Sequence, residues 1–168
     1  GGAGFIGHWI VKKLLEDGHK VTAFDNLSNG EIENIQEFKN NSNFKFIGGD
    51  VRDENKLDEI FKEKFDIVYH LAASINVQDS IEDPRTTFYN DVVGTFNILE
   101  RAKIQMFGRN GNMDGDGWVL DANEDTYPCK VVFTSTCMVY DVSVQEGIDE
   151  KHPVNPVSPY GGSRIAAE

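Results

Sequence analysis

Gly1-Gly2-Ala3-Gly4-Phe5-Ile6-Gly7 runs straight into a helical pattern from His8 to Glu16. Glycines at 1, 4 and 7 remove side chains where a chain must turn sharply and let a phosphate approach its backbone. A helix N-terminus carries unpaired N–H groups and a partial positive charge, so a diphosphate is the natural ligand there. An apolar strand follows, Lys20-Val21-Thr22-Ala23-Phe24, ending in Asp25-Asn26. Glycine loop, helix, strand and acid, in that order, make a dinucleotide-binding unit.

The spacing G-x-x-G-x-x-G departs from the commoner G-x-G-x-x-G, and a glycine-rich tight turn is the other reading of the loop by itself. Asp25 stands about 20 residues past the loop, where a carboxylate accepts hydrogen bonds from the adenosine ribose hydroxyls. It would repel a 2′-phosphate, and no Arg follows it directly, so NAD is favoured over NADP. A turn acid capping the strand is the alternative for Asp25.

The 168 residues suffice for one core-bearing domain, here 1–168. Lys plus Arg number 16 against 28 Asp plus Glu, a net charge of −12. That acidity argues against nucleic acid and anionic membrane surfaces, though not against a dinucleotide gripped by backbone dipoles. Cys129 and Cys137 form no disulfide framework and suit a reducing cytoplasm. No apolar run is long enough to cross a bilayer, and no signal peptide is visible. Both ends read as cut. A buried first strand is expected before the glycine loop and is missing, as is a C-terminal substrate domain, and the chain stops inside a helical pattern at Ala166-Ala167-Glu168. Unpaired strand edges should then leave this piece poorly stable alone.

Outward from the loop, Phe5, Ile6, Trp9, Ile10, Leu14 and Leu15 give a helical stripe closed by Asp17-Gly18. Ile32, Ile35 and Phe38 mark a short helix, and 44–47 alternates as a strand before Gly48-Gly49-Asp50. The stretch 51–64 reads as a helix with Asp53 as N-cap and Leu57, Ile60 and Phe61 facing inward. Residues 66–73 form a buried strand running out into small residues, which leave room for a ligand at a sheet crevice. Asp83-Pro84 opens a long helix through about Lys103. A strand over 130–133 ends in Thr134-Ser135-Thr136-Cys137, and Pro153, Pro156 and Pro159 stiffen a loop before the Tyr160 helix. The alternation predicts an α/β fold with a doubly wound parallel sheet.

The acidic, Gly-rich segment 108–129 breaks this rhythm and reads as a solvated surface insertion. Within it, Asn112-x-Asp114-x-Asp116-Gly117-x-Val119 resembles the front of a calcium loop. Position twelve is Asn123, with Glu124 adjacent, instead of the bidentate Glu such loops use, so no metal is assigned.

Thr136 at a strand end and Tyr160 at a helix start are the candidate reacting pair. A phenol titrates near pH ~10, and a fixed cation plus a positive nicotinamide would bring Tyr160 toward use as a general base. Thr136 would hydrogen-bond the oxygen losing its proton. Arg164, four residues on and on the same helical face, would supply the cation. An amphipathic core role for Tyr160 and a strand-end cap role for Thr136 stay open on spacing alone.

The chain resembles the extended short-chain dehydrogenase/reductases of the nucleotide-sugar epimerase/dehydratase family. The matching stretches are GGAGFIG at 1–7, DNLSNG at 25–30, GDVRD at 49–53, HLAASINVQDSIEDP at 70–84, NDVVGTFNILE at 90–100, TSTCMVYD at 134–141 and SPYGGSR at 158–164. The resemblance implies a Rossmann-like NAD-binding domain in which Gly1, Gly4, Phe5, Ile6 and Gly7 lie along the diphosphate. Asp25 and Asn26 would hold the adenosine ribose, Asp50 and Val51 would meet the adenine, and Leu71, Ala72 and Ala73 would border the middle of the cofactor. Thr136 and Tyr160 fall on the family's Ser/Thr and Tyr, with Tyr160 and Arg164 also touching the cofactor. A nucleotide-sugar substrate and a homodimer built on 86–103 and the Tyr160 helix are implied as well.

Three departures stand out. Arg164 replaces the family's Lys, a wider planar fork for a compact ammonium. Asp91 replaces Asn, adding negative charge near the tyrosine, and the insertion is the third. After Thr136 come Cys137-Met138, where water-eliminating members carry Asp-Glu to protonate the leaving hydroxyl and take the C5 proton. An epimerase needs no such pair. The reading is therefore an NAD-dependent nucleotide-sugar epimerase inverting C4, with a 4,6-dehydratase or a catalytically degenerate NAD-binding module as alternatives.

Overall fold

A computed structural model describes residues 1–114, 117–119, 125–141 and 147–168. Helix α1 (Phe5–Glu16) starts directly off the glycine loop and stops at Asp17, with Gly18 taking the left-handed conformation that closes the turn. Strand β1 (Val21–Asp25) follows, then a 3-10 helix over Ile32–Phe38 and strand β2 (Phe44–Gly48). Helix α2 (Glu54–Ile60) begins three residues later than the periodicity predicts. Asp53 caps it, accepting the Lys56 N–H at 3.0 Å, and a 3-10 turn over Phe61–Glu63 extends it. Strand β3 (Ile67–His70) leads through loop 71–76 to α3 (Val77–Glu82) and α4 (Pro84–Phe88). Strands β1 and β2 pair in parallel, Val21 opposite Phe44 and Asp25 opposite Gly48.

The long helix expected through Lys103 forms with an interruption. A π-helical turn over Tyr89–Val93 separates α4 from α5 (Gly94–Phe107). Asp91 is fully buried inside that turn, and such wide turns often mark functional sites. Beyond it, β4 (Asn112–Asp114) and β5 (Gly117–Val119) pair as an antiparallel hairpin, so the insertion holds regular structure of its own. The calcium-like pattern falls on this hairpin, and Asp116, Asn123 and Glu124 lie outside the described residues. Strand β6 (Lys130–Phe133) pairs in parallel with β3, and after a 3-10 turn over Cys137–Val139 the chain reaches α6 (Pro159–Ala167).

The result is an α/β fold with parallel strands and crossover helices. Among the described residues no strand pairs with the edges of β1 and β3 that face each other. A groove of about 660 Å³ lies between them, lined by Val21 to Phe24 on one side and Ile67 to Leu71 on the other. It lies where the sequence reading put a central strand ahead of the glycine loop.

The apolar stripe of α1 is only partly covered: Ile10, Leu14 and Leu15 are half-buried, with Leu15 packed on the core. Phe5, Ile6 and Trp9 are exposed, Phe5 at 79%. The helix packs through Gly7 and Val11 instead, the latter in a cluster with Ala3, Ala23, Ile35 and Phe38. A second cluster joins Val51, Leu57 and Ile98. Among the described residues no helix is long and apolar enough to cross a membrane.

Candidate functional site

The glycine loop opens at the carboxyl ends of β1 and β3. Gly2 N–H donates to the Phe24 carbonyl at 3.2 Å. A Cβ on Gly1 would sit 2.6 Å from the Leu71 carbonyl carbon and 2.7 Å from the Ala72 nitrogen, so only glycine lets the loop lie against loop 71–76. A Cβ on Gly7 would collide with the carbonyl oxygens of Gly1 and Gly2, whereas one on Gly4 would meet only Gly1 O at 3.5 Å. Gly4 is the N-cap of α1, which has no side-chain cap and no acidic residue in its first turn. Its opening N–H groups are therefore left for a ligand, and an anion fits that end best.

Asp25 ends β1 buried at 6% exposure, its Oδ2 accepting the Ala3 N–H at 2.9 Å and its Oδ1 the Leu27 N–H at 2.8 Å. Each oxygen keeps a further lone pair for a hydroxyl donor. Asn26 turns outward, its amide donating to Asp50 Oδ2 at 2.9 Å. Arg52 forks onto the same carboxylate through Nε at 2.8 Å and Nη2 at 2.6 Å. Those hydrogen bonds hold the Asp50 carboxyl well below the usual carboxylate range. Val51 faces the core, where a Cβ on Gly94 would strike it. Leu71, Ala72 and Ala73 are half-buried along the loop.

The other end of the site is assembled around that loop. Ser74 N–H donates to Asp91 Oδ1 at 2.6 Å, and Asn90 donates to the Ser74 hydroxyl at 3.1 Å. Burial pushes the Asp91 carboxyl above its ordinary range, against the bonds from Ser74 and the charge of Arg164. Arg164 is itself 3% exposed. Its guanidinium lies 4.4 Å from the Phe133 ring centroid, and Nη2 donates to the Thr134 carbonyl. Asp91 Oδ2 and Arg164 Nε and Nη1 are buried with no hydrogen-bond partner among the described residues. Thr136 Oγ1 accepts the Met138 N–H at 3.3 Å, making Thr136 the cap of the turn after β6. Tyr160 is half-buried in the first turn of α6, whose N-cap Ser158 accepts the Gly161 N–H at 3.1 Å.

The structure thus brings Gly1 against Leu71 and Ala72, Asp25 against Ala3, and Asn26 against Asp50. No hydrogen bond links Thr136, Tyr160 and Arg164 directly among the described residues. Sequence reasoning gave no role to Arg52, Ser74, Ser80 or Asn90. Arg52 had a local signal, a cation two residues after an acid. The Ser74–Asp91 bond spans 17 residues and Ser80's bond to Tyr160 spans 80, and no local spacing announces either.

A parallel α/β sheet with an uncapped glycine-rich helix start and an acid closing the next strand defines a dinucleotide-binding domain. The chain belongs to the nucleotide-sugar epimerase/dehydratase family of extended short-chain dehydrogenase/reductases: the family model described as GDP-mannose 4,6 dehydratase matches residues 1–168. It is 34% identical over 169 aligned residues to UDP-glucose 4-epimerase of Mycolicibacterium smegmatis, covering 100% of this chain and 47% of that protein. Among solved structures it is similar to Pal from Bacillus thuringiensis, with 47% identity, a TM-score of 0.82, and coverage of 99% of this chain and 47% of that one. It is also similar to UDP-glucose 4-epimerase from Brucella ovis in complex with NAD, with 31% identity, a TM-score of 0.76, and coverage of 99% and 43%. The chain spans about half the length of the curated relatives it matches.

Proposed function

We propose that this chain is the NAD-binding half of a nucleotide-sugar epimerase that inverts C4 through a transient 4-keto sugar. The observation that carries the reading is the uncapped start of α1, set beside Asp25 at the crevice between β1 and β3. When bound, NAD supplies a reversible acceptor for the C4 hydride. The chain's own residues have three tasks. The free N–H groups of α1 and the backbone of Gly1, Gly4, Phe5, Ile6 and Gly7 take the diphosphate, Asp25 with Asn26 takes the adenosine ribose, and Asp50 with Val51 takes the adenine edge. Tyr160, as phenolate, removes the proton of the sugar hydroxyl and later returns it, while the Thr136 hydroxyl donates a hydrogen bond to the same oxygen. The charge of Arg164, held at the end of β6, favours the phenolate.

Cys137 and Met138 follow Thr136 and offer no carboxylate for water elimination, which favours epimerisation over dehydration. Incubating the natural full-length protein with UDP-, dTDP- and CDP-sugars and following products by NMR tests this: a C4 epimer is expected, and a 4-keto-6-deoxy sugar would overturn it. We place the protein in the cytoplasm as a homodimer. Its two cysteines are unpaired, and α4 and α5 expose Phe88, Phe96 and Leu99. Phe96→Glu in the full-length protein should convert a dimer to a monomer in sedimentation, and an unchanged mass would remove this face from the interface.

A further inference from the structure

Ser80 is fully buried in α3, the helix that follows loop 71–76. Its hydroxyl hydrogen is spent on the Val77 carbonyl at 2.6 Å, which fixes the rotor and leaves the oxygen's lone pairs to accept. One of them receives the backbone N–H of Tyr160 at 3.1 Å. That N–H belongs to the second residue of α6 and has no partner within the helix. Pro159, ahead of it, brings no N–H, and the Ser158 side chain is engaged with Gly161. α3 and α6 pack together along this joint. The residue that starts the Tyr160 helix is thus held by an element whose own start, Asn76, closes the crevice loop.

We propose that Ser80 is a positioning residue for Tyr160: by capping α6 from α3 it fixes where the phenol stands relative to loop 71–76 and the sugar. The proposal rests on the reading of Tyr160 as the base. Without the Ser80 oxygen, the first turn of α6 loses its anchor to the crevice wall. The phenol then drifts from the place where it meets the sugar hydroxyl.

The test uses the full-length protein and Ser80→Ala, a smaller side chain that removes the oxygen without adding bulk. The Tyr160 amide should exchange with deuterium at least about tenfold faster, while amides in β1 and β6 keep their rates. kcat should fall by about tenfold, with KM for the nucleotide sugar within about twofold of the parent. Ser80→Thr, which keeps the hydroxyl, should hold the parental exchange rate at Tyr160. Unchanged exchange at Tyr160 in Ser80→Ala, or a raised KM with an unchanged kcat, overturns the proposal. If the parent itself turns over no sugar, the functional reading fails instead. Amide exchange at Tyr160 still decides the role of Ser80.

Discussion

Burying a carboxylate and a guanidinium within reach of each other's charge, each with polar atoms left over, makes each depend on the other. Asp91 spends one oxygen on holding loop 71–76 through Ser74, and Arg164 spends one nitrogen on the end of β6. The charge of Arg164 acts on both Asp91 and His70. In a cycle of Asp91→Asn and Arg164→Met, the double variant should cost about 1 kcal/mol less than the sum of the singles by chemical denaturation. Strict additivity would show that the two buried charges do not couple. His70, buried nearby, responds to pH. Thr95's hydroxyl donates to the Asp91 carbonyl, so His70 Nε2 must carry the hydrogen in its 2.9 Å bond to Thr95. Burial first, and with it the charge of Arg164, push the imidazole down to about 4. An unfolded histidine binds its proton near pH ~6.5 while the folded one resists it, so stability falls as pH drops from about 6.5 toward 4. The loss approaches about 3 kcal/mol. Asp91, with its raised carboxyl, has the opposite sign, losing stability as pH rises. The difference in urea stability between the parent and His70→Gln at pH 7 and pH 4.5 isolates the imidazole, and parallel profiles would contradict this account.

At the scale of elements, the loop and α1 act as one unit in which two glycines serve different ends. Gly7 makes room for the loop's own carbonyls, so Gly7→Ala should cost about 2 kcal/mol of stability. A Cβ on Gly4 would make only ordinary contact, with Gly1 O at 3.5 Å, and Gly4 stands at the uncapped helix end. Gly4→Ala should therefore leave the denaturation midpoint nearly unchanged while weakening NAD binding by tenfold or more, read by calorimetry on the full-length protein. Equal effects of both variants on stability would refute the division. The loop, β1, β2, β6 and the Asp53 cap were legible because each rests on neighbouring residues: glycine spacing, alternation, an acid ahead of a helical turn. The burial of α1 was not, since Phe5, Ile6 and Trp9 look like a core stripe while the small Gly7 and Val11 make the close contact. The π turn was equally hidden, because Asp91 is widened out of the helix by what it holds, the Ser74 N–H, and not by its neighbours in sequence.

Across the whole molecule the groove sets the energetics. One cluster gathers Ala3, Val11, Ala23, Ile35 and Phe38 under α1 and β1, and the other gathers Val51, Leu57 and Ile98 against β3 and β6. No strand hydrogen bonds join the pair β1–β2 to the pair β3–β6. The ties across are few: Gly1 lying against Leu71, the Thr22 hydroxyl donating to Glu63, the ion pair of Lys45 with Glu63, and the Phe24 ring packed on the second cluster. Cooperativity needs shared burial or a continuous ladder, and here each half keeps its own core. The 168-residue chain should then open in two steps. Native-state hydrogen exchange as a function of denaturant should group the β1 and β2 amides on one isotherm and the β3 and β6 amides on another. A strand seated in the groove would pair with both facing edges at once and merge the isotherms. If a single opening isotherm governs all four strands of the 168-residue chain, the contacts of Gly1, Phe24 and Glu63 couple the halves more strongly than their number suggests.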